Sequence, residues 1–125
     1  MFASYNLDEF PYVKVDISGT IINNEDFCSF TQQWLNLYNN KESFEFIFNT
    51  KNAGLIDIKY CFYMAMFIKL IKKKPIQYLT KSTIYVYNKY IFHLFKFIFF
   101  LEKPIAPVIL IFKTNLDEQI EYISN

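Results

Sequence analysis

The feature that most restricts the fold of this chain is its hydrophobic period, which switches between two and about 3.6 residues several times along the sequence. Val13, Val15 and Ile17 alternate with Lys14, Asp16 and Ser18, the pattern of a strand with one buried face. Phe27, Phe30, Trp34 and Leu37 then recur at helical spacing, with Glu25 and Asp26 at the positive end of the helix dipole and Asn24 placed to cap it. Phe44, Phe46 and Phe48 return to alternation, and Ile47 on the opposite face points to an interior strand. A second helix is expected over residues 58–73, capped by Asp57 and blocked by Pro75. Its core stripe is Cys61, Met64, Ala65, Ile68 and Ile71, opposite Lys59, Lys69 and Lys73, while Phe62, Tyr63 and Met66 fall toward the outside.

The same reading continues to the carboxyl end. Residues 82–87 are rich in β-branched and aromatic side chains and read as a strand. Residues 89–102 read as a helix with Ile91, Leu94, Phe95, Ile98 and Leu101 inward and Lys89, His93, Lys96, Phe100 and Lys103 outward. Residues 108–112 are almost continuously apolar, as in a strand buried on both faces, and Asn115 is placed to cap a short last helix with Leu116, Ile120 and Ile123 inward. Strands separated by helices need crossover connections, which make a mostly parallel sheet. The expected architecture is an α/β domain spanning residues 1–125, with four or five strands, an opening hairpin over residues 12–22 and about four helices.

Composition matters chiefly for what it excludes. Hydrophobic residues make up 53% of the 125, which supplies a core and sets the chain apart from disordered sequences. All thirteen basic residues are Lys and the net charge is +1, so there is neither a basic field nor the guanidinium that reads bases and phosphates, and no nucleic-acid partner is expected. Cys28 and Cys61 read as small core residues, not as a disulfide or part of a zinc site. The amino end lacks a basic region followed by an apolar run, and Lys69 and Lys96 interrupt the longest apolar stretches, so a cytoplasmic chain without a membrane span is expected.

No catalytic constellation emerges, and neither an enzyme nor a cofactor is expected. Gly19 and Gly54 are the only glycines and belong to no phosphate-binding loop. His93 has no carboxylate, Ser or Cys at a useful spacing. Asp57 is read as a cap, Asp16 stands alone on a strand, and the pairs Asp8-Glu9, Glu25-Asp26 and Asp117-Glu118 belong to helix starts or solvated turns. Lys72, Lys73 and Lys74 suit a helix carboxyl end. The surplus of apolar side chains on the helices, Phe62, Tyr63, Met66, Phe99 and Phe100, points to cover from another protein or a second copy of the chain, or to packing between the helices; a carrier enclosing a small apolar ligand is the alternative function.

The order of elements, together with Val15-Asp16-Ile17-Ser18-Gly19-Thr20-Ile21, resembles the opening strand and turn of the STAS domain, shared by sulfate-transporter tails and anti-sigma-factor antagonists. Residues 44–49, the loop ending at Asp57 and the helix after it are similar to that family's central strand and the loop carrying its regulatory serine. Family members that are switched by a kinase carry an Asp followed by small residues, commonly Asp-Ser-Ser-Gly. Here the stretch is Asp57-Ile58-Lys59-Tyr60, which offers no hydroxyl at the serine positions. The resemblance therefore implies a regulatory interaction domain without the phosphorylation switch, with Asp57, Lys59, Tyr60 and Tyr63 on its partner-binding surface.

Overall fold

Most of the expected period switches become elements in the computed structural model, which describes residues 2–125. The order is β1 (Ala3–Asn6), β2 (Tyr12–Gly19), α1 (Asn24–Tyr38), β3 (Phe44–Ala53), α2 (Lys59–Ile71), β4 (Leu79–Val86), α3 (Lys89–Leu101), β5 (Val108–Lys113) and β6 (Glu118–Ile123). The strands lie side by side in chain order as one six-stranded mixed sheet. β2 to β5 are mutually parallel, and β1 and β6 close the two edges antiparallel. Successive right-handed crossovers in one direction place α1, α2 and α3 on the same face, so the sheet has a helix-covered face and a bare one.

Side-chain alternation follows that division. Under the helices, Val13, Phe46, Ser82 and Val108 form one transverse row, and Val15, Phe48, Ile84 and Leu110 form the next. All eight are buried. Trp34 of α1 ties this layer to α2, with its ring 4.7 Å from Phe46 and 5.3 Å from Phe67. The bare face carries Lys14, Ile47, Thr83, Ile109 and Tyr122 in one row and Asp16, Asn49, Tyr85, Ile111 and Ile120 in the next.

Several expectations are corrected. The sheet has six strands, not four or five, and there are three helices, not four. The opening pair joins Ala3–Asn6 to Tyr12–Gly19 and does not lie within residues 12–22. Gly19 leaves β2 in the left-handed region (φ +67°), and its carbonyl accepts the Gly54 N–H at 2.7 Å, so no return strand forms there. Asn23, not Asn24, caps α1 by accepting the Asp26 N–H at 3.2 Å. Residues 115–123 do not form a helix. The Thr114 hydroxyl accepts the Asp117 N–H at 3.0 Å, and the Thr114 N–H donates to the Asp117 carbonyl at 2.9 Å, which closes a tight turn from β5 into β6. Cys28 is exposed instead of lying in the core. β5 is buried fully on the helix face only, and Ile109 and Ile111 are half-buried on the bare one. Among the described residues no helix is long and apolar enough to cross a membrane.

Candidate functional site

The start of α2 is held by short-range chemistry. The Asp57 carboxylate accepts the Lys59 N–H at 2.9 Å, satisfying one of the amide groups that a helix start leaves free. Gly54 packs so closely on the end of β2 that an added Cβ would sit 2.8 Å from Thr20 Cγ2, which fixes the loop leading to Asp57. The Tyr60 hydroxyl donates to Asn24 Oδ1 at 3.2 Å, and the Tyr90 hydroxyl donates to the Ile56 carbonyl. These bonds tie the loop and α2 to α1 on one side and to α3 on the other.

Asp57, Lys59 and Tyr63 are exposed there, as a contact surface requires. Tyr60 is not: it is only 5% exposed, with its ring 5.7 Å from Phe27 and 5.6 Å from Tyr63. Its place on the expected contact surface is therefore corrected to the core, because the phenol turns back to reach Asn24. Lys59 lies over the Tyr60 ring with its ammonium 5.3 Å from the centroid.

Along the outside of α2, Ile58, Phe62, Met66 and Leu70 fall one helical turn apart and form a continuous ridge. Their exposures are 61%, 47%, 68% and 58%, so none is absorbed by the rest of the fold. Phe97 of α3 supports the ridge from one side, edge-on to Phe62 at 5.6 Å. Lys59, Lys69 and Lys73 stand beside it, and among the described residues none of them makes an ion pair. Lys72 is engaged, bonding to Glu102 at 2.6 Å at the far end of α3. That hydrogen bond holds the Glu102 carboxyl below its ordinary range. The helix carries no acidic residue.

The inside of α2 borders a cavity of about 100 Å³ between the helices and the sheet. Cys61, Met64 and Ile68 descend into it from α2, Ile91, Phe95 and Ile98 from α3, and Phe48, Ser82 and Ile84 rise from the sheet. The lining contains no charged side chain. Thr50, also in the lining, donates its hydroxyl proton to the Tyr85 carbonyl at 2.8 Å. Burial raises the Cys61 thiol above its ordinary range, so it rests as a protonated, unreactive group.

Elsewhere, burial pushes the Tyr5 and Tyr38 phenols up. Trp34 belongs to the cavity lining, and its buried N–H lacks a hydrogen-bond partner among the described residues. His93 is exposed on α3, its ring 5.5 Å from that of Phe92. Among the described residues no group of three or more His, Cys, Asp and Glu could hold a metal ion.

Two features escape a reading of the sequence alone. Ile58 and Leu70 extend the outer stripe beyond Phe62 and Met66, and the four-residue spacing from 58 to 70 was the available signal. Ser82 opens the floor of the cavity; its signal was a small polar residue in phase with Ile84 and Val86. In comparisons with known proteins the chain matches no family model, no curated protein and no solved structure.

Proposed function

We propose that this chain is a non-enzymatic, STAS-like regulatory domain that docks another protein through the outer face of α2. The observation that carries the reading is the ridge of Ile58, Phe62, Met66 and Leu70, four apolar side chains left uncovered on a helix whose opposite face is fully used. Single exposed apolar residues need no explanation, but a contiguous row is a recognition surface. The antiparallel opening strand and the run of strands and helices in chain order support the STAS-like assignment. With Ile58 and Lys59 at the serine positions, docking is constitutive with respect to a kinase.

The charge beside the ridge selects the kind of partner. A twofold contact between two copies of α2 would set Lys59, Lys69 and Lys73 against one another, with only Asp57 before each helix start as a nearby exposed carboxylate to offset three cations. The matching surface is an apolar helix face on a different protein, rimmed by Asp and Glu.

The test places a photoreactive residue at position 66 in cells that make the chain. The crosslinked protein is then purified and titrated against the full chain. Wild type binds it one to one. The pair Lys59→Glu with Tyr63→Ala weakens it by about tenfold or more without changing the unfolding midpoint. Equal affinity for wild type and the double variant, or crosslinking only to a second copy of the chain, overturns the proposal.

A further inference from the structure

We infer that the cavity between α2, α3 and the sheet is a binding site for a small, uncharged, predominantly apolar molecule, of the size of an aromatic ring or a short alkyl chain. Its chemistry sets the class. The lining has no Lys, Asp, Glu or His to meet a charge, so an ionised ligand would lose its hydration without compensation. Polar groups in the lining are few: Thr50 has already given its proton to Tyr85, which leaves the Ser82 hydroxyl and the Trp34 N–H, unpartnered among the described residues. The rest of the wall is apolar, formed by residues such as Phe48, Ile68, Ile84, Phe95 and Ile98. Apolar cavities of about 150 Å³ stay dry and take up benzene, and about 100 Å³ is of that order.

The position of Ser82 sharpens the case. It lies between Phe46 and Val108 in a row that is otherwise bulky and apolar, at the centre of the sheet and 5% exposed. Any aliphatic residue there would fill the floor of the cavity. The hydroxyl leaves the space open and, with the unpartnered Trp34 N–H in the same lining, supplies a polar handle, which fits a ligand carrying a hydrogen-bonding group on an apolar body. Access is available at the rim, where Ile21, Ile56 and Phe99 are only partly buried.

Toluene and benzoate, equal in ring size and different in charge, are the probes. Added to the full chain and followed by amide chemical shifts, toluene should saturate at one equivalent, move the signals of Cys61, Met64, Ser82 and Ile98, and raise the melting temperature. Benzoate should do none of these. Ser82→Leu fills the floor and should weaken toluene by about tenfold or more. Cys61→Leu fills the same space from α2 and provides an independent check. The inference is overturned if toluene fails to saturate, if its shifts map to the outer ridge of α2, if both filled variants bind it like wild type, or if benzoate binds as well.

Discussion

The two sides of α2 are almost equally apolar and behave in opposite ways. Inward, Cys61, Phe67, Ile68 and Ile71 are each less than 9% exposed and hold the helix to the sheet and to α3. Outward, Ile58, Phe62, Met66 and Leu70 remain about half exposed or more. Composition does not distinguish these rows; their phase on the helix does. The bare face of the sheet is a useful third case. It also shows apolar side chains, with Lys14, Asp16 and Asn49 on β2 and β3 at one side and Ile109, Tyr122, Ile111 and Ile120 adjacent on β5 and β6, but there Ile47, Ile109 and Ile111 are half-covered by neighbouring strands.

The largest expected effect separates the two sides of α2 by stability. Ile71→Ala removes a side chain with no exposure and should cost about 2–5 kcal/mol, whereas Met66→Ala should stay within about 0.5 kcal/mol. Urea unfolding of both variants checks this, and similar losses would erase the distinction. Next, Met66→Glu should cut affinity for the docked protein by about tenfold or more, while Tyr122→Glu on the bare face changes it little. Lys69→Glu should act mainly on the association rate, with an effect of about severalfold at low salt that fades as salt rises. Stopped-flow measurements across ionic strength would show it, and a salt-independent effect would count against an acidic partner.

The smallest effect concerns the staple between α2 and α3. Glu102 is held below its ordinary value first by the hydrogen bond from Lys72, so its contribution favours the folded state above the unfolded glutamate value of 4.5 and is lost as pH falls through the lower folded value. Glu102→Gln should therefore slightly flatten the acid side of the stability curve and leave the neutral side parallel to wild type. Urea midpoints measured across that pH range test the sign, and a steeper acid limb in the variant would contradict it.

Much of this architecture is legible in the sequence because one-sided burial imposes a period. The three helices that form, β2 and the centre of β3 follow directly from the spacing of Val13 to Ile17, Phe27 to Leu37, Phe44 to Phe48, Cys61 to Ile71 and Ile91 to Leu101. The edges are less legible. Leu116, Ile120 and Ile123 fit a helical stripe, yet Thr114 closes a turn that leaves Leu116 in the turn and commits Ile120 and Ile123 to β6, where they face opposite sides. β1 is hard to read because its alternation, Ala3 and Tyr5 inward against Ser4 and Asn6 outward, spans only four residues. At the site, exposure of Asp57, Lys59 and Tyr63 follows from their position at a helix start. The burial of Tyr60 depends on a hydrogen bond to Asn24, thirty-six residues away, which no local pattern contains.

Hydroxyl-radical footprinting of the complex with the docked protein tests the central claim most directly. Met66 and Tyr122 are 68% and 77% exposed in the free chain, and both are readily oxidised side chains on opposite sides of the molecule. The account predicts that complex formation protects Met66 and Phe62 and leaves Tyr122 unchanged. Protection of Tyr122 with Met66 still oxidised at its free rate would contradict it.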